Sequence, residues 1–423
     1  MDATIKAIKG QIVYAPDSGT LCVHQNSWIV SKNGLVVGIF AELPSEYANA
    51  AKEDFGDRLI IPGLVDLHVH APQYSYRGTG MDLELLDWLA TYTFPEEAKF
   101  SELAYAERAY SIFAEDLKKG ATTRAAVFAT VHTEATLLLM QLLAASGVRC
   151  MVGKVNMDRN CPDYICEDTA ASLADTRAWL SKCQHYAHVR PILTPRFTPT
   201  CTDALLQGLG EIQREYGIAV QSHLSENPSE IAWVKALCPD TACYAESYAR
   251  FGLLGGDAPT IMAHCVYPTP DELQLLQERR VMVAHCPQSN MNLASGIAPV
   301  RKYLNSGICV GLGTDIAGGA NLSMLRAMAD AIGLSKLRWR LVDQSEAPLT
   351  LAEVLFMATK GGGALFGRVG SFEEGYAFDA VVLSEEHLPH PQPMSIENRL
   401  ERLIYLATDR EVLAKYADGE RIK

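Results

Sequence analysis

Long apolar runs are missing from this 423-residue chain. None approaches the ~20 residues needed to cross a bilayer, so the sequence reads as a soluble protein with no membrane partner. Positive charge is also short: Lys and Arg number 37 against 50 Asp and Glu, a net charge of −13. A field of that sign repels phosphate backbones and anionic lipid, which argues against nucleic acid as a partner. The eleven cysteines are an odd number without framework spacing, so disulfides are not expected and a reducing cytoplasm is. Residues 1–10 lack a charged segment followed by an apolar signal core, so no secretory address is expected. There is no short tandem repeat, low-complexity tract or long charge block. Nor does a Gly-x-Gly-x-x-Gly turn follow the first core strand, which disfavours a dinucleotide-binding open sheet.

What is present is a hydrophobic content of 48% and a length that suits one large domain with a small one beside it. The first 60 residues carry short alternating segments at 10–14, 21–24, 27–31 and 35–40, with Asn33-Gly34 as a hairpin turn. The pattern returns near the end, with a strand at 378–383 and a second hairpin turn at Asp418-Gly419. Residues 1–60 and 366–423 are therefore expected to form one small split β-sandwich domain. Between them, residues 61–365 alternate eight strand-like segments, at 64–70, 122–129, 148–155, 189–193, 218–223, 260–264, 281–285 and 309–313, with helical stretches. Helices are expected over 101–119, 134–145, 170–183, 202–216 and 271–279. The alternation predicts an α/β fold, a (β/α)8 TIM-like barrel, with a doubly wound sheet as the competing architecture.

In such a barrel, catalytic groups gather where strands end. Residues 62–70 read Pro-Gly-Leu-Val-Asp-Leu-His-Val-His; alternation along a strand puts His68 and His70 on one face and Val69 on the other. The fifth segment ends in His223 with Glu226 after it, the sixth in His264, the seventh in His285 and the eighth in Thr314-Asp315. Catalytic zinc takes imidazole and carboxylate ligands and keeps one position open for water, and His68, His70, His223 and Asp315 would supply that set. Glu226, just beyond a strand end, would shuttle protons between activated water and a ring nitrogen. His264 would stabilise the oxygen developing at the reacting carbon. For His285, lining the pocket and bonding across strands stand as equal readings. Lys154 is read as a buried ion-pair residue rather than a carbamylated bridge, in keeping with a single metal. His24, His132, His185, His188, His387 and His390 lie away from strand ends.

Together these elements resemble the amidohydrolase superfamily over nearly the whole chain, and the lack of a carbamylated lysine on strand four is similar to its mononuclear deaminase branch. Several motifs resemble the guanine-deaminating group of that branch: Ala-Pro-Gln-Tyr-Ser-Tyr from Ala71, Tyr-Thr-Phe-Pro-Glu-Glu from Tyr92, Thr-Pro-Arg-Phe from Thr194 and Gly-Thr-Asp-Ile-Ala-Gly-Gly from Gly313. Pro72 and Gln288 depart from the group's pattern and are expected to reshape the pocket rim. The resemblance implies one Zn2+ per subunit, a homodimer, and hydrolysis of guanine to xanthine and ammonia in purine catabolism. It assigns purine binding to Gln73, Arg196 and Phe197 beside His70, His223, Glu226 and Asp315. It also makes Glu226, Asp315 and His264 the catalytic groups, with Asp315 taking a proton from the attacking water. A one-histidine, two-cysteine zinc site is set aside because no Pro-Cys-x-x-Cys run occurs. The alternatives are a deaminase of another ring (a thioether adenosine, a pterin or an s-triazine) and a catalytically silent scaffold, the latter opposed by the full ligand set.

Overall fold

All eight core segments are strands in the computed structural model, which describes residues 4–423; residues 1–3, with which the expected terminal domain opens, lie outside the described residues. Leu64–His70, Thr122–Phe128, Arg149–Gly153 and Val189–Pro191 form one parallel sheet. Val220–Leu224, Thr260–His264, Met282–His285 and Val310–Leu312 form another. The third and fourth segments are each broken in two, and their outer pieces, Val155–Asn156 and Thr194–Pro195, pair with each other. Backbone contacts join the two larger sheets at both edges. A parallel bridge links Leu193 to Val220; on the other side the Asp315 N–H donates to His68 O at 2.8 Å and the His70 N–H to Ile316 O at 3.1 Å. Every residue of Leu64–His70 and of Thr122–Phe128 is buried. That is the pattern of parallel strands covered on both faces.

The helices follow from local sequence. Asp203–Tyr216 begins where Thr202 Oγ1 accepts from the Leu205 N–H and ends at Gly217, whose φ of 62° suits a residue without a side chain. It buries Leu205, Leu206, Leu209 and Ile212 at helical spacing. The expected helices 101–119, 134–145, 170–183 and 271–279 are observed as Leu103–Lys119, Thr133–Ser146, Thr169–Lys182 and Pro270–Glu278. Helix Met324–Leu341 was not among the expected elements. A buried Asp330 amid Met and Ala blurs its apolar stripe.

Both chain ends meet in a seven-stranded sheet, in the order Glu420–Arg421, Val412–Ala417, Ala380–Leu383, Ala51–Pro62, Ile5–Asp17, Thr20–Lys32, Leu35–Phe40. Asn33-Gly34 and Asp418-Gly419 are its tight turns, with φ of 52° and 79° and of 48° and 77°, the left-handed pairs such hairpins require. Segments 21–24 and 27–31 belong to one strand rather than two. Its register against Ile5–Asp17 jumps between Ser27↔Gly10 and His24↔Ile12, and Asn26 takes a φ of 46°, as a bulge demands. Strand Ala51–Pro62 was not foreseen because its first half is charged and largely exposed.

This sheet is fastened to the core through Arg124. Its Nε donates to Asp379 Oδ2 at 2.7 Å and its Nη2 to Asp379 Oδ1 at 3.0 Å and Asp418 Oδ1 at 2.5 Å, with Asp379 fully buried. Arg124→Ala would leave that carboxylate uncompensated. The expected loss is about 3–5 kcal/mol, read as a shift in the denaturation midpoint at unchanged m-value.

Candidate active site

Strand alternation brings His68 and His70 side by side, both buried, with their Nε2 atoms 3.2 Å apart. His223, from the fifth core strand, places its own Nε2 3.2 Å from that of His70. Asp315 completes the group, its Oδ1 lying 3.1 Å from His68 Nε2 and 3.5 Å from His70 Nε2. Ligands held about 2.1 Å from a tetrahedral ion stand about 3.4 Å apart, so this spacing fits one divalent metal. Protonation fits as well. Burial pushes the pKa of His68 down and those of His70 and His223 well down. His223 Nδ1 donates to Arg196 O at 2.6 Å, which leaves its Nε2 lone pair facing the other two rings. Burial opposes ionisation of Asp315, but His68, His264 and His70 outweigh it and hold the carboxyl far below the usual range. Cys286 also lies near His68, His264 and Asp315; burial pushes its thiol well up, so it stays protonated.

The end of the last core strand is built to approach the first. A Cβ at Gly313 would sit 2.8 Å from His68 Cβ, so only glycine allows the contact. Asp66, fully buried and pushed up to about 7 chiefly by burial, accepts from Thr314 Oγ1 at 2.5 Å, from Thr314 N at 3.0 Å and from His68 N at 3.2 Å. Asp315 and His264 both have positive φ, 48° and 72°. Such backbone is costly for residues with side chains and concentrates at functional sites.

Glu226 and His264 face the same space. His264 Nε2 lies 3.4 Å from Glu226 Oε2 and 3.6 Å from Asp315 Oδ2, and its Nδ1 donates to Asn290 Oδ1 at 3.0 Å. Burial lowers the pKa of His264, yet Glu226 and Asp315 together carry it above the ordinary value. Burial raises the Glu226 carboxyl to about 7, and its Oε1 accepts from Ser295 Oγ at 2.9 Å.

A cavity opens onto these groups. It is lined by His70, Gln73, Arg196, Phe197, His223, Glu226, His264 and Asp315, closed by Leu85, Trp88, Leu89 and Leu293. Every site residue expected from the sequence except His68 thus faces one cavity, and His68 sits directly behind it among the candidate ligands. His285 is elsewhere: it lines a separate small cavity with Arg301, Arg338 and Glu346, and its Nδ1 has no hydrogen-bond partner among the described residues. Lys154 Nζ donates to Glu167 Oε1 at 2.6 Å, the ion pair expected of it. Gln288 does not line the cavity. Its Oε1 accepts from the Ala320 and Asn321 N–H groups and its Nε2 donates to Asp330, so it pins the loop after the last core strand. Pro72 is buried in the turn after His70, also off the lining.

The sequence assigns no individual role to Asp66, Ser295, Asn290, Trp88 and Glu97, although Glu97 closes the Tyr-Thr-Phe-Pro-Glu-Glu motif. Asp66 had a signal, a carboxylate inside an otherwise apolar strand. The others sit in loops and short helices, where no periodicity marks them.

Residues 59–422 match the model of the Amidohydrolase family. A guanine deaminase of Dictyostelium discoideum is 36% identical, the alignment covering 99% of this chain and 98% of that protein. The guanine deaminase of Homo sapiens is 38% identical over 90% of this chain and 85% of its own. The crystal structure of a guanine deaminase from C. acetobutylicum with bound guanine in the active site superposes with a TM-score of 0.96 at 45% identity, over 99% of this chain and 100% of that one.

Proposed function

This chain belongs to the amidohydrolase family, and from that premise we propose that it hydrolyses guanine to xanthine and ammonia in the cavity described above. The observation that carries the reading is the cavity itself. A metal-fitting cluster, a buried carboxyl with a near-neutral pKa, and the donors Gln73 and Arg196 face one another across it. The full-length similarity to a guanine deaminase with guanine bound supports the substrate.

His68, His70, His223 and Asp315 would hold one Zn2+ per subunit; the mixed imidazole and carboxylate donor set supports zinc. Bound there, zinc supplies a Lewis acid that brings the pKa of water to about 7. Asp315, held ionised among histidines, accepts a proton from the attacking water. Glu226, whose carboxyl retains its proton near neutrality, delivers it to N3 of guanine, so that C2 takes the nucleophile. His264 donates a hydrogen bond from Nε2 to the new oxygen. Return of a proton to the exocyclic amine releases ammonia, and loss of the remaining hydroxyl proton leaves xanthine. Arg196 and Gln73 donate to the purine carbonyl and N7, and Phe197 packs against the ring.

The same reading takes residues 61–365 as a closed (β/α)8 barrel, supported by the backbone hydrogen bonds at both sheet edges. It takes 1–60 and 366–423 as a small β-sandwich, supported by a bridge from Leu35 to Ala377 that brings the far edge of the terminal sheet to its other half. Eleven free cysteines support a cytoplasmic location. No helix among the described residues is long and apolar enough to cross a membrane. A homodimer is part of the proposal, on family resemblance.

Metal analysis with an ammonia-release assay over guanine, adenine, a pterin and a triazine tests the function. Guanine is expected to be consumed with loss of its absorbance, and adenine at no more than about 1% of that rate, because its amino group leaves Arg196 unpaired. Comparable rates on adenine would overturn the assignment.

A further inference from the structure

Two of the groups facing the purine are held by a third that does not line the cavity. Glu97 lies on the short helix Phe94–Ala98 and exposes no surface. Its Oε1 accepts from Gln73 Nε2 at 2.9 Å and its Oε2 from Arg196 Nη1 at 2.6 Å. Gln73 is fixed at its other end as well, where its Oε1 accepts from the Ala317 N–H at 3.0 Å. That contact settles which way the amide is turned. Arg196 stands 5.2 Å over the ring of Phe94, three residues before Glu97. One carboxylate therefore converts two long, rotamer-rich side chains into a single arrangement. It also balances the guanidinium in a cavity that Leu85, Trp88, Leu89, Phe197 and Leu293 line with apolar surface.

On the guanine reading given above, we propose that Glu97 is the positioning residue for purine selection. It sets the placement of Gln73 and Arg196 and keeps that edge of the cavity neutral, so that a neutral purine is favoured over an anionic one. The titratable groups beside it do not share this charge. Burial holds Tyr76 and Tyr110 well above their ordinary pKa and holds His132 below its own, so all three are neutral at assay pH.

Glu97→Gln keeps the length and removes the charge. The expected result is a rise in KM for guanine of about 10–100-fold with kcat within about threefold of wild type, the size of a lost charge-assisted hydrogen bond. Inhibition by xanthine supplies a readout that a merely structural role would not move. In the variant it should tighten as pH rises through the range where xanthine loses a proton, because the guanidinium is uncompensated; in wild type it should not. Glu97→Asp restores the charge but not the reach, and is expected to abolish the pH effect while keeping KM about fivefold or more above wild type. A wild-type KM in Glu97→Gln, or equal pH profiles in both proteins, would overturn the inference. If Glu97→Gln fails to fold, a wild-type KM in Glu97→Asp overturns it alone. Absence of guanine turnover in the unmodified protein would instead remove the reading on which it rests.

Discussion

Replacing Glu226 with glutamine is expected to lower kcat on guanine by about 10³–10⁴-fold, with metal content unchanged. Glutamine preserves the shape of the side chain and its contact with Ser295 Oγ, but has no proton to give or take. General acid–base catalysis by one positioned group accounts for a factor of that order. The sign of the pH dependence follows from burial, which raises the Glu226 carboxyl to about 7. Its acid form is present below that value and is lost as pH rises through it. Turnover should therefore decline on the alkaline side in the wild type, and the residual rate of Glu226→Gln should lack that limb. Near-normal kcat in a metal-loaded Glu226→Gln protein would remove Glu226 from the mechanism.

A larger loss is expected from Asp315→Asn. Asp315 is a candidate metal ligand and the proposed acceptor of the first proton; a neutral amide cannot take that proton and is a far weaker ligand for a divalent ion. His68 and His70 would face an uncharged group, and His264 Nε2 would lose one of its two carboxylate neighbours. Turnover should fall by about 10⁴-fold or more, and bound metal should fall with it when measured by elemental analysis after dialysis. The two variants separate the roles: Glu226→Gln retains the ion and loses the rate, while Asp315→Asn loses both. Full metal occupancy in Asp315→Asn would exclude Asp315 from the ligand set.

Much of the site was legible because the chemistry sits on strands. His68 and His70 are two residues apart, and a period of two is the one spacing that puts neighbouring strand residues on a common face. His223, His264 and Asp315 close apolar runs, where a polar residue is conspicuous. Gln73, Arg196 and Phe197 came from resemblance, and they do line the cavity. Ser295 carried no signal, and Glu97 stood only as the end of a resemblance motif, with no role of its own. A carboxylate beside another carboxylate in a short helix reads as a solvated face, and only the fold shows that Glu97 is buried against residues 24 and 99 positions away in sequence. The same limit applied to strand Ala51–Pro62, whose charged half gave no alternation. His285 illustrates the reverse. It closes a strand like the others, but it faces a different cavity.

The candidate ligands span the chain from His68 to Asp315, and the backbone joint between those two segments is also where the first and last core strands meet. No fragment that stops short of residue 315 carries the whole set. A complete ligand set is thus tied to a sequence-distant contact in the core, of the kind that closes slowly in folding. If the proposed set holds the ion, the complete site exists only once that joint has closed.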